Sequence, residues 1–167
     1  MNILICNVGS TSLKYQLFDM QAGEAVLASG GAERVGTAKS LFYYNDSSGA
    51  RQEQELPFPT HREAISADTV ASLDETACVG FQVVHAKGVT GVQYLTDDVL
   101  QAMADFNSVA PAHNPPYIAA IRQFRALMPD TPLIGSFETA FHAQMPPEAY
   151  LYPIPLELSK KYAIRRY

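Results

Sequence analysis

The residues best suited to chemistry in this chain come early and close together. Asn7-Val8-Gly9-Ser10-Thr11-Ser12-Leu13-Lys14 joins two apolar runs through a stretch of small polar residues. Gly9 lets the backbone approach a ligand with no Cβ in the way. The hydroxyls of Ser10, Thr11 and Ser12, with nearby backbone N–H groups, can donate to phosphate oxygens. Lys14 adds a compact positive charge suited to phosphate, and Asn7 offers an oxygen to a hard cation such as Mg²⁺. The same stretch also reads as a hairpin turn of small residues with a solvated lysine. It matches neither the Walker A nor the dinucleotide-binding pattern.

Other candidates are weaker one by one. His113 stands beside Asn114-Pro115, a helix start, and Glu138 follows an apolar run. His85 and His142 read as structural, because no spacing of cysteines or carboxylates around them suggests a metal cage. His61, beside Arg62 and Glu63, reads as solvated.

Elements must hold these residues in place. Ile3–Cys6, Leu13–Asp19 and Ala25–Gly30 read as three short strands, and their tight connections favour antiparallel neighbours. Ser40–Phe58 suggests a peripheral hairpin turning through Asn45–Gly49. Thr60–Leu73 reads as a helix with Ala64, Ile65, Val70 and Leu73 inward, and Cys78–His85 as a central strand covered on both faces. Thr96 caps a helix striped by Val99, Leu100, Met103 and Phe106. Asn114-Pro115 opens another, with Ile118, Ile121, Phe124 and Met128 inward. Leu133–Phe137 is a further strand, and Leu156–Tyr162 a short terminal helix. The pattern is a mixed α/β layer fold.

Composition narrows the class. A chain of 167 residues, 47% hydrophobic and 17% charged, can bury one core. Its net charge of −5 and lack of basic runs argue against nucleic acid or an anionic membrane as partner. No apolar run approaches the roughly 20 residues needed to span a bilayer, and no secretory leader pattern opens the chain. Cys6 and Cys78, inside apolar runs, read as thiols in a reducing compartment. The expectation is a cytoplasmic domain.

Five blocks in order carry a resemblance. Asn7–Leu17, Val83-Val84-His85, Ala110–Pro115, Phe137–His142 with Met145–Tyr152, and Tyr162–Tyr167 resemble segments of the acetate and propionate kinases. That resemblance implies a ribonuclease H-like domain of the sugar kinase, Hsp70 and actin type, with residues 1–167 forming the N-terminal half and a C-terminal domain absent. It implies transfer of the ATP γ-phosphate to a short-chain carboxylate with Mg²⁺, giving an acyl phosphate. By position, Asn7 would help hold the metal, and Gly9, Ser10, Ser12 and Lys14 would face the phosphates. His113 would stabilise the phosphoryl group in flight, and Glu138 would occupy the catalytic position. Gln82, Val84 and Ala112 would contact the acid.

The chain departs from that pattern at specific positions. Gln82 stands where the family has an arginine, so the bidentate fork for a carboxylate is gone. Glu138 replaces an aspartate, extending the reach by one methylene, where a misplacement of about 1 Å can cost on the order of a hundredfold. Ala86 replaces a glycine, and Ala112 a larger apolar residue. These changes and the absent half predict impaired catalysis by this chain alone. The alternative is a non-catalytic interaction domain that keeps the half-fold. A homo-oligomer or a missing C-terminal domain would complete the cleft.

Overall fold

The computed structural model describes residues 1–69 and 76–167. One eight-stranded sheet organises it, in the order β5-β4-β3-β2-β1-β6-β8-β7. β1 (Asn2–Val8), β2 (Ser12–Asp19) and β3 (Ala25–Glu33) run antiparallel, as their short connections require. β4 (Ser40–Asn45) and β5 (Arg51–Leu56) form the expected hairpin, which extends the same sheet beyond β3. On the other side β1 pairs in parallel with β6 (Thr76–Val83), and β6 with β8 (Leu133–Phe137). β7 (Gly91–Tyr94) closes that edge antiparallel to β8. The sequence reading had no strand there, because four residues following Gly88 and Thr90 are too short for alternation to register.

Period-two burial sets the two faces. Leu4, Cys6 and Val8 of β1, Leu13, Tyr15 and Leu17 of β2, and Val79, Phe81 and Val83 of β6 point into the core. α1 (His61–Thr69) and α3 (Asn114–Leu127) pack on this side, where Phe124 meets Phe81 edge-on with centroids 5.3 Å apart. α2 (Asp97–Ala104) packs on α3 and buries Leu100 and Met103. Each fully buried side chain of this kind contributes about 1.5–3 kcal/mol relative to exposure. Of the expected α1 positions, Ala64 and Ile65 are fully buried, while Val70 and Leu73 lie outside the described residues.

The opposite face departs from the expectation of double coverage. Ile5, Gly80, Ile134 and Tyr94 are successive register partners across four strands. Ile5 remains 42% exposed and Tyr94 66% exposed. The apolar composition of β6 therefore reflects one face in the core and one face open.

Local chemistry fixes the helix starts. Thr96 caps α2 by accepting from the Val99 N–H. Thr60 and Glu63 box the start of α1: the Thr60 N–H donates to Glu63 Oε2 at 2.9 Å, and the Thr60 hydroxyl accepts from the Arg62 N–H at 3.1 Å. Pro115 sits in the first turn of α3, where its missing N–H costs nothing. After β8 the chain makes a single turn at Glu138–Ala140, then the short α4 (Pro147–Tyr150) and α5 (Leu156–Tyr162). No helix among the described residues is long and apolar enough to cross a membrane.

Candidate functional site

Three parallel strands, β1, β6 and β8, end on the same side of the sheet. Ligands of open α/β sheets gather at such carboxyl ends. Asn7 lies one residue before the end of β1, Gln82 one before the end of β6, and Glu138 directly after β8. All three are exposed on the open side. Asn7 is the register partner of Lys14 on β2, so both side chains leave the same face of the sheet and line one basin. Gln82 Nε2 donates to Glu138 Oε1 at 3.0 Å. The two positions expected to depart from the family pattern are thus in direct contact. The neutral Gln82 amide donates to the carboxylate without forming an ion pair.

Two basins share Ile5 and Gln82. One, of about 770 Å³, is mostly apolar and runs from Ile3 and Cys78 up to Gln82, Glu138 and Phe141. The other, of about 480 Å³, is more polar and contains Asn7, Lys14, Gln16, Ser29 and Asn45. Burial pushes the Cys78 thiol up, so it stays protonated and unreactive at neutral pH. Gln82 lines both basins and so stands between them.

The turn after β1 is held tightly. The Gly9 N–H donates to the Ser12 carbonyl at 2.8 Å, closing the hairpin. A Cβ at Gly9 would stand 2.5 Å from Ser12 Oγ, so the position excludes a side chain unless the serine moves. Ser10 is exposed, and Ser12 half-buried. His61 corrects the expectation of a solvated ring. It is half-buried in the first turn of α1, and its Nε2 donates to the Gly9 carbonyl at 2.9 Å and lies 3.3 Å from that of Ser12. Two carbonyl partners require a proton on Nε2. The Thr60–Glu63 box was a legible signal, since it sets the first turn that carries His61. What the ring touches is 52 residues away and was not legible. His61→Ala should cost about 1–2 kcal/mol in urea denaturation and speed amide exchange at Gly9.

The remaining candidates lie around these basins. His113 is exposed at the N-terminus of α3 and makes no side-chain cap bond. Ala112 is exposed beside it, and Val84 is half-buried just after β6. None of the three lines either basin. His85 packs edge-on against Phe106 and Tyr167, with centroids 4.8 and 4.5 Å away. Burial lowers its pKa, so the ring is neutral at pH 7, as suits a structural residue. Asn114 is fully buried, and its Nδ2 donates to the carbonyls of His85 and Met103 at 2.9 and 2.8 Å. One side chain thereby ties the loop after β6, the end of α2 and the start of α3, which presents His113. Tyr117, one turn into α3, reaches Asn7 with its hydroxyl. Helical spacing from Ile121 and Phe124 places Tyr117 on the inward stripe, but the contact with β1 is visible only in the fold. Among the described residues, no cluster of three or more His, Cys, Asp or Glu side chains could cage a metal.

A family model for the acetokinase family matches residues 2–167. The chain belongs to the acetokinase family. It is 42% identical over 178 residues to an acetate kinase of Agathobacter rectalis, and 39% identical over 179 residues to one of Coprothermobacter proteolyticus. Each comparison covers 100% of this chain and 44% of the relative. This acetokinase chain therefore spans less than half the length of the relatives it matches. Among solved structures, a propionate kinase from Francisella tularensis superposes with a TM-score of 0.88 at 28% identity, covering 99% of this chain and 44% of that one. An acetate kinase from Porphyromonas gingivalis gives 0.85 at 29% identity, with coverage of 99% and 44%. The acetokinase fold, of the actin and Hsp70 type expected from the sequence, is thus established, with antiparallel β1–β3 and parallel β1, β6 and β8.

Proposed function

We propose that this domain is the N-terminal half of a carboxylate kinase, which transfers the γ-phosphate of ATP to acetate or propionate. The observation that carries this reading is the convergence of Asn7, Lys14, Gln82 and Glu138 at one end of the parallel strands. A carboxylate oxygen attacks the γ-phosphorus, the bond from that phosphorus to the bridging oxygen breaks, and ADP leaves. Such transfer depends mainly on positioning and charge neutralisation.

Mg²⁺ suits the donor set, because it keeps most of its waters and takes only one or two protein oxygens beside those of phosphate. Asn7 and Glu138 would supply those oxygens, and the bound ion would neutralise phosphate charge. Lys14 adds a positive charge next to Asn7. Gly9, Ser10 and Ser12 offer turn donors to phosphate, and His113 donates to the phosphoryl group. Gln82 meets the acid's carboxylate, with Val84 and Ala112 toward its alkyl end. A half-cleft leaves the phosphates in water, and Gln82 lacks an arginine's charge, so this chain alone should work slowly or not at all. The chain's short span against its relatives makes a second domain, or a second copy, the partner that would close the cleft.

A second reading is a non-catalytic interaction domain. It is favoured by apolar side chains on the open side, with Phe141 88% exposed and Val92 71% exposed.

A hydroxylamine trap for acyl phosphate separates the readings. The purified chain is incubated with MgATP and, separately, acetate, propionate and butyrate. Signal lost in Asn7→Ala and in Glu138→Ala supports a working phosphotransfer site. A well-folded chain giving no signal, even when joined to a family C-terminal domain, favours the interaction reading.

A further inference from the structure

Tyr117 stands out because its hydroxyl does something a core residue does not need to do. The ring is 5% exposed and sits among the aliphatic residues of α3. A phenylalanine would fill the same space with no polar atom to satisfy. The hydroxyl instead donates to Asn7 Oδ1 at 3.2 Å. The Val8 backbone N–H donates to the same phenol oxygen. A hydroxyl has one proton. With Val8 using its acceptor side, that proton is directed to Asn7.

The partner matters as much as the bond. Asn7 is exposed and lines the more polar basin with Lys14. Fixing an exposed side chain costs rotamer entropy and returns little stability. Its benefit is preorganisation, since a carboxamide already turned to one orientation need not be ordered when a ligand arrives. Resting on the phosphotransfer reading of the basin, we propose that Tyr117 is a positioning residue whose hydroxyl locks the Asn7 carboxamide for MgATP. Nothing in the five sequence blocks marks this role.

Tyr117→Phe in the full chain removes only the hydroxyl. In ¹H–¹⁵N spectra, the Asn7 side-chain amide, assigned with Asn7→Ala, should move to the shifts of a free carboxamide. In a nucleotide titration, Tyr117→Phe should weaken MgATP by about threefold to tenfold, the effect of one net hydrogen bond. Asn7→Ala combined with Tyr117→Phe should be no weaker than Asn7→Ala alone, because the hydroxyl acts through Asn7. Seen from the other end, Asn7→Ala should shift the Tyr117 ring resonances, a readout available even if Tyr117→Phe folds poorly. Unmoved Asn7 amide signals in Tyr117→Phe, unmoved Tyr117 ring signals in Asn7→Ala, or additive losses in the double variant would each overturn the proposal. Absence of MgATP binding by the unaltered chain would instead count against the phosphotransfer reading, and the amide and ring spectra would then decide the role of Tyr117.

Discussion

Asn114→Asp should destabilise the chain by about 3–5 kcal/mol at neutral pH, the range for a buried charge left without a partner. The two Nδ2 protons that now serve the His85 and Met103 carbonyls would be replaced by an oxygen facing both, at separations of 2.9 and 2.8 Å. Asn114 is 0% exposed, so water cannot compensate. For a domain of this size the melting temperature should fall by about 10 °C. The pH dependence follows from the same contacts. Burial and two opposing carbonyls raise the introduced carboxyl's pKa in the folded state above its unfolded value near 4. Between those two values the folded state binds more protons, so stability falls as pH rises through that window. Urea midpoints relative to the unaltered chain should therefore drop from about pH 4 towards pH 7. A flat difference across that range would show that the carboxyl has escaped to solvent. Because the same amide anchors the start of α3, the amide signals around His113 should broaden or shift as well.

Restoring the two altered contacts of the basin should have the largest effect on chemistry, and only when they are restored together. Gln82→Arg alone places a guanidinium beside the Glu138 carboxylate, which the glutamine amide now meets at 3.0 Å. The fork would be taken by Glu138 in an exposed ion pair and withheld from substrate. Glu138→Asp alone shortens the reach and breaks the bridge without supplying charge. The double variant frees the fork for a substrate carboxylate, in a bidentate bond roughly twice as strong as a neutral one. In the chain joined to a family C-terminal domain, each single change should alter the half-saturating acetate or propionate concentration by less than about threefold. The double change should lower it by about tenfold or more, as about 1.4 kcal/mol of added binding requires. The hydroxylamine trap reads both constants. Equal, additive effects of the two single changes would show that Gln82 and Glu138 act independently, against the bridge between them.

The features legible in the residue order were local and periodic. Alternation in Leu13–Asp19, the stripe Ile118, Ile121, Phe124 and Met128, the Thr96 cap and Pro115 placed strands and helices where the structure has them. Tight connections fixed the antiparallel order of β1, β2 and β3. The ordered motif blocks gave the family and named Asn7, Lys14, Gln82 and Glu138 as candidates. These signals succeed because hydrogen bonding within an element, and the burial of one of its faces, are encoded within a few residues.

The tertiary structure alone decided what those residues touch. His61 read as a solvated ring from its charged neighbours, yet it bonds a carbonyl 52 residues away. Tyr117 was not among the sequence candidates, yet its hydroxyl meets Asn7 across 110 residues. Gln82 and Glu138 looked like separate losses and are one hydrogen-bonded pair, 56 residues apart. β6 read as doubly covered because its composition is apolar, and composition cannot say which side a helix occupies. Side-chain contacts at such separations depend on the order and stagger of parallel strands. Those are set by the packing of the whole sheet against α1 and α3, and no window of sequence contains them.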